Sequence, residues 1–296
     1  MAITLRILDN PSDLHAVEEL QRVVWSGGET AVVPAHLLIA AVHNGGVLIG
    51  AYPNQESSKD TTLIGFVFGF PGFYDTPDGP RLLHVSHMLG VRPSARDQGV
   101  GFMLKRAQWQ LVRKQGIDRI IWTFDPLQSR NAYLNISKLG AVCDTYYQDY
   151  YGELNDELNA GMTTDRFRVD WWVNTRRVER RLSRQVRTKL DFAHYSASGA
   201  QVVNRARYER DGLVIPSRND SLDLQTGVAN ILLVEIPARF PKLRAQAPDI
   251  AAAWRDHTRK MFTDLFAAGY LITDFVYLAG NHPRSFYVLS DGESTL

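Results

Sequence analysis

The sequence predicts an α/β fold, and three observations carry that expectation. An apolar stretch from Leu82 to Val91 meets a glycine-bearing loop, an amphipathic segment follows as far as Lys114, and Gly116 separates it from a second apolar stretch, Ile117 to Phe124. The same order of strand, helix, glycine and strand returns between Ile231 and Leu278, with Gly269 in the place of Gly116. At 296 residues the chain is longer than one such core needs, so two domains are expected, 1–172 and 173–296.

The elements follow in order. Ile3 to Leu8 reads as a first strand, and Ser12 or Asp13 can cap a helix carrying Leu14, Val17, Leu20, Val24 and Trp25. Pro34 opens a second helix. Val47 to Tyr52 and Thr62 to Phe70 are strands separated by the polar loop Pro53 to Asp60, and Gly65 and Gly69 read as kink glycines within the second of them. After the loop, Val100, Met103, Leu104, Ala107, Leu111 and Val112 form one apolar face, with Lys105, Arg106, Gln110, Arg113 and Lys114 opposite. Pro126 ends the strand that follows Gly116. Arg176 to Leu190 reads as a basic helix with one apolar stripe, a solvated linker rather than an anion-binding patch. Residues 194–227 read as loops with short strands. Ile231 to Ile236, Leu271 to Leu278 and Ser285 to Leu289 are strands around a helix from Asp249 to Ala268, whose Asp256 and His257 are expected in a surface network with Arg255 and Arg259.

The loop is the informative stretch. Arg96, Gly99 and Gly101 stand at R-x-x-G-x-G spacing immediately before a helix, where bare backbone and the unpaired N–H groups of a first turn suit a diphosphate. A P-loop would need Lys then Ser or Thr after its last glycine, but Phe102 and Met103 follow Gly101. A dinucleotide fingerprint would need a glycine where Arg96 stands, and Asp125 at the end of the next strand does not replace it.

With its flanking strands and helix, this loop resembles the acyl-CoA loop of the GNAT superfamily of N-acyltransferases, and the resemblance covers residues 1 to about 150. It implies a mixed central sheet. Thr123–Phe124–Asp125–Pro126–Leu127, Ser86 to Val91, and the later Leu158 to Gly161 and Thr164–Asp165–Arg166 resemble a branch of large prokaryotic GNAT acetyltransferases, some of which serve pathways that N-acylate amino acids, including with succinyl groups. The C-terminal part is then an α/β extension, read as a degenerate second GNAT-like half. Its loop from Pro237 to Pro248 has no glycine, so it is not expected to hold a second CoA.

The resemblance also implies roles. Acetyl-CoA or another acyl-CoA such as succinyl-CoA is the expected co-substrate, with no metal, and the amine of a small molecule, an amino acid foremost, is the expected acceptor. Leu89 and Val91 would pair with the pantetheine arm through their backbone, and Arg96, Asp97, Gln98, Gly99, Val100 and Gly101 would hold the diphosphate, with Asn131 beside them. His87 stands where a strand histidine of arylalkylamine acetyltransferases acts as base through water, and its titration near neutrality suits that role, although a strand histidine can equally be a satisfied structural group. His84 is the weaker candidate, since it faces the other side of a regular strand. The family's tyrosine acid falls at Ile136, one residue type that cannot donate a proton, so Tyr133 one helical turn earlier is the candidate acid. Glu29, in the loop after Ser26–Gly27–Gly28, is a candidate base or ammonium-binding group. Tyr150, within the cluster Tyr146, Tyr147, Tyr150 and Tyr151 read as strand residues, is a candidate acceptor-binding residue. So is Arg166, which could capture a carboxylate or instead pair with Asp165 or Asp170. A CoA-binding sensor or scaffold on an inactive fold is the alternative function.

Composition narrows the partners. With 33 basic and 32 acidic residues the chain offers neither nucleic acid nor a membrane surface the positive field they require. The single cysteine, Cys143, sits among apolar residues and reads as packing rather than as a nucleophile. It rules out an intrachain disulfide and suits a reducing cytoplasm, and no leader or membrane span is expected. A homodimer is one expected assembly.

Overall fold

The computed structural model describes residues 2–25, 32–53, 62–152, 161–183, 189–209, 212–217 and 229–291. By packing, these fall into two compact units: one runs to Trp122 and takes in Trp172–Asn174, and the other begins at Thr123.

The first unit contains β1 (Ile3–Ile7), α1 (Pro11–Val24), α2 (Ala35–His43), β2 (Val47–Pro53), β3 (Gly65–Tyr74), β4 (Arg81–Val91), α3 (Val100–Lys114) and most of β5 (Arg119–Phe124). Its strands lie in the order β1-β2-β3-β4-β5. The first four are antiparallel, and β4 and β5 are parallel. Asn10, not Ser12 or Asp13, caps α1, its side-chain oxygen accepting from the Asp13 N–H at 3.1 Å. One face of the sheet packs Phe66 and Phe68 against Leu14, Val17, Leu20 and Leu38 of α1 and α2. The other face takes α3, and the alternation of β3 points Gly65 and Gly69 toward it. A Cβ at Gly65 would stand 3.0 Å from Val100, and one at Gly69 would stand 2.2 Å from His84 and 3.0 Å from Gln108. These glycines therefore admit the close approach of a helix, beyond kinking the strand.

The second unit contains α4 (Ser129–Ala132), which runs on as a π-helical segment (Tyr133–Lys138), then β6 (Val142–Tyr147) and β7 (Arg166–Trp172). It continues with α5 (Arg176–Leu182), α6 (Phe192–Ala197), β8 (Gln201–Val202), β9 (Arg207–Tyr208), β10 (Val214–Ile215), β11 (Ile231–Pro237), α7 (Phe240–Gln246), α8 (Pro248–Ala267), β12 (Tyr270–Leu278) and β13 (Arg284–Asp291). Its strands lie in the order β7-β6-β12-β13-β11-β8, with β9 and β10 forming a separate hairpin. The Phe167 ring is the centre of its packing, ringed by Phe124, Tyr146, Phe262, Phe266 and Tyr287. That cluster belongs with residues 123–152 and 161–171 in the second unit.

The expected internal repeat has a structural counterpart, offset from the sequence reading. Strand, helix, Gly269 and strand do recur as β11, α8 and β12, but β11 and β12 are not neighbours, because β13 lies between them. The matching sections are a parallel strand pair, a helix and an antiparallel hairpin: β4/β5, α4 and β6/β7 first, then β8/β11, α8 and β12/β13. By this order of strands the position of α8 is like that of α4 rather than that of α3.

Two other expectations change. The tyrosines do not share one strand, since β6 ends at Tyr147 and leaves Tyr150 and Tyr151 in the turn beyond it. The α8 residues are not all in a surface network: Asp256 pairs with Arg259 outside, while Arg255 is buried against Asp125 at 2.8 and 2.9 Å and His257 is buried beside Asn204.

Candidate active site

The loop after β4 is shaped by two left-handed residues. A 3-10 turn at Pro93–Ala95 leads to Arg96, Asp97 has φ 64°, Gly99 has φ 81°, and α3 begins at Val100. Left-handed residues on either side of Gln98 turn successive backbone N–H groups into one concavity, the geometry that receives anions. A Cβ on Gly99 would meet nothing within 4 Å, so the hollow over the loop is open to a ligand. The N-cap residue of α3 is Gly99, which has no side chain to cap the helix, and the N–H groups of a first turn have no partner within the helix. Arg96 Nε donates to the Val91 carbonyl at 3.3 Å and Gln98 to the Ser94 carbonyl at 3.1 Å, so both side chains brace the loop. Val100 is buried and anchors the helix start against Gly65.

A second feature lies upstream. The parallel pairing of β4 with β5 runs through His84↔Ile120 and Val85↔Ile121 and stops there. On its other side, β4 is bulged: Phe70 faces Val85 and Phe68 faces Met88, so Ser86 and His87 together stand opposite Gly69. The strand therefore parts from β5 over Ser86 to Val91, while Leu89 and Val91 remain paired to Val67 and Gly65 of β3. That fork ends at the glycine loop, and an extended ligand lying along β4 would bring its anionic end to α3.

The two histidines occupy different surroundings. His87 is exposed at its edge and lies beside Phe68 and Phe70, ring centroids 6.2 and 5.7 Å away, and this partial burial lowers its pKa from the usual value. His84 is fully buried, its Nε2 3.1 Å from the Gln108 side-chain nitrogen. Burial first, then the nearby Lys105 charge, hold it at about 3. Since Gln108 presents a donor to Nε2, the neutral ring carries its proton on Nδ1.

Sequence reasoning missed the neighbours of His84. Lys105 and Gln108, assigned to or left off the polar face of α3, are both buried beneath β4. Lys105 Nζ donates to Ser86 Oγ at 2.9 Å and to Gln108 Oε1 at 3.0 Å, and lies 3.6 Å from the Trp122 ring centroid. Ser86 Oγ donates in turn to Gln108 Oε1 at 2.9 Å. One signal was available: Lys105 and Gln108 are a turn apart beside Leu104 and Val112, so a slightly wider apolar face would have included them.

The other candidates belong to the second unit or fall outside the described residues. Glu29 falls outside them. Asn131 is exposed on α4. Ile136 is fully buried, and it follows Tyr133 in a π-helical segment, where residues three apart are not spaced as in an α-helix. Tyr133 instead lies half-buried under Lys138 and Lys189, and Lys189 donates to its hydroxyl. Tyr150 is exposed and stacks on Tyr147 at 4.9 Å. Arg166 is buried, donates to the Asp165 carbonyl at 2.9 Å and lies over the Tyr151 ring. The Asp165 carboxylate goes elsewhere, to Arg259 and the Tyr146 hydroxyl, and these donors hold it below the ordinary carboxylate range against the opposing effect of burial. Asp170 pairs with Arg168 at 3.8 Å. Among the described residues no group of side chains is arranged to hold a metal ion, and no helix is long and apolar enough to cross a membrane. An open groove of about 570 Å³ lined by Ile7, Ile49, Trp109 and Lys114 shares no residue with the loop or the fork.

No protein-family profile matches the chain, and no curated protein sequence does. Among solved structures it is similar to Arabidopsis thaliana NAA60 in complex with acetyl-CoA, at 19% identity over 59% of this chain and 100% of that one, with a TM-score of 0.47. It is also similar to the ribosomal-protein-S18-alanine N-acetyltransferase of Escherichia coli, at 12% identity over 63% and 100% of the two chains and a TM-score of 0.44. For aminoglycoside 6'-acetyltransferase type Ii the values are 18%, 60%, 99% and 0.43. Independently of these scores, the order β1-α1-α2-β2-β3-β4-α3-β5-α4-β6-β7, with β4 and β5 parallel and parted below a glycine loop, is the mixed α/β arrangement that the GNAT resemblance implies.

Proposed function

We propose that the protein is an acyl-CoA-dependent N-acyltransferase, transferring an acetyl or succinyl group to the amine of a small molecule, an amino acid foremost. The observation that carries this reading is the fork in β4–β5 leading to the concave loop around Gly99. The backbone of Leu89 and Val91 would hold the pantetheine arm, and residues 96–101 the diphosphate. His87 would take the proton from the attacking amine. We place this chemistry in the cytoplasm, within residues 1–172, and residues 173–296 support it.

Release of free thiol from acetyl-CoA or succinyl-CoA across an amino-acid panel tests the reaction. Calorimetry tests the site: Gly99→Val should weaken CoA binding at least tenfold, since a branched side chain strains a left-handed φ and fills the hollow. Arg96→Ala should weaken it less, because the backbone cradle remains. Unchanged affinity in a folded Gly99→Val protein would move the site elsewhere. The buried Ile136 favours a second reading, a CoA-binding sensor, and binding without thiol release from any acceptor would select it.

A further inference from the structure

Lys105 lies where β4 and β5 part. Ser86 is the first β4 residue beyond the last β4–β5 pair, Trp122 is the first β5 residue beyond it, and the Lys105 amine touches both. Three hydrogens of an ammonium find three electron-rich neighbours here: the Ser86 hydroxyl oxygen, the Gln108 amide oxygen and the face of the Trp122 indole. A neutral amine would instead turn its lone pair toward one of them. Gly69 and the bulge make the space, since any side chain at 69 would strike His84 and Gln108.

We propose that Lys105 is kept as a buried ammonium at the fork, and that its charge stabilises the thiolate released when an amine attacks a CoA thioester there. This rests on the acyl-CoA reading of the site and extends it to the leaving group, for which Ile136 offers no proton. In the step, a bond forms between the amine nitrogen and the acyl carbon, the carbon–sulfur bond breaks with its electron pair going to sulfur, and the amine proton passes to His87. The thiolate so formed lies in the field of a cation that water does not screen, where a fixed charge counts for most. Lys105 is thus a positioning residue, acting through the electrostatics of the fork. Burial pushes its amine well below the usual lysine range, so the case for the ammonium rests on the contacts its three hydrogens make. His84, a titratable neighbour among the described residues, is held neutral and adds no second cation.

The thiol of bound CoA reports on this charge without any acceptor. Thiolate absorbance is followed against pH for CoA on the full-length protein, with desulfo-CoA as blank, beside free CoA in the same buffer. The wild-type complex should ionise at least about one pH unit below free CoA, and Lys105→Met should bring it back to the free value while leaving desulfo-CoA affinity unchanged. In turnover, Lys105→Met should lower kcat roughly tenfold or more with little change in the KM for acyl-CoA. A wild-type complex that ionises like free CoA overturns the inference, as does a folded variant indistinguishable from wild type. If Lys105→Met does not fold, the wild-type comparison decides alone. Failure of both CoA and desulfo-CoA to bind would sink the acyl-CoA reading itself, and this inference with it.

Discussion

His87 owes its character to its neighbours. The nearest aromatic groups are apolar, and an imidazole in partial contact with Phe68 and Phe70 loses hydration that its cation needs more than its neutral form does. A base acts when deprotonated, so turnover should rise with pH through this pKa, and the acid limb of the kcat/KM profile should fall below the usual histidine value near 6.5. His87→Ala should lower kcat by roughly a hundredfold at neutral pH, remove that limb, and leave CoA affinity intact. Retention of the wild-type rate and profile would make His87 structural. Position alone made this residue a candidate in the sequence. Its depressed basicity was not legible, because the two rings that cause it lie on another strand. Lys105 shows the opposite failure: a charged side chain on an amphipathic helix reads as solvated, and the partners that receive it in the interior, Ser86 and Trp122, lie on other elements.

At the scale of elements, what the sequence announced clearly was whatever local chemistry decides. Gly99, Gly116 and Gly269 mark helix ends with left-handed backbone, and the apolar steps of α3 and α8 place those helices within a residue or two. Elements set by partners were less legible. The π turn from Tyr133 to Lys138 has no local signature, yet it decides which residue faces which surface. The bulge in β4 is likewise a property of two strands. Gly69→Ala tests it: a methyl group 2.2 Å from His84 Nε2 and 2.5 Å from the Val85 carbonyl must displace backbone, and unfolding by urea should show a loss of about 1–3 kcal/mol. Gly72, whose Cβ would meet only side-chain methyl groups at 3.1 and 3.3 Å, should tolerate alanine at smaller cost.

Across the whole chain, the sequence disclosed that order recurs in the C-terminal part but not which section of the first half it repeats. The answer depends on β13 lying between β11 and β12, and strand order in a sheet leaves no trace in local periodicity. The consequence for stability is direct. Phe167 packs on Phe262, Phe266 and Tyr287, and the Ser129 and Ser285 hydroxyls bond at 2.7 Å, so residues before 172 depend on residues after it. A chain ending at Trp172 should aggregate or lose turnover on size-exclusion and activity assays, and the full chain should bind a single CoA. A soluble, fully active 1–172 would make the remainder an independent module.

The antiparallel contact of β6 with β12, at Cys143 and Ile272, has one more consequence. Two separate chains that met along such strands would do so only above some concentration, and would part on dilution. Here the two strands are tied by a covalent tether, so their encounter is governed by an effective local concentration that no dilution changes. The strand that would otherwise offer an open row of backbone donors and acceptors to any passing chain is occupied from within. The register of that contact is inherited with the polypeptide, instead of being found anew at each assembly.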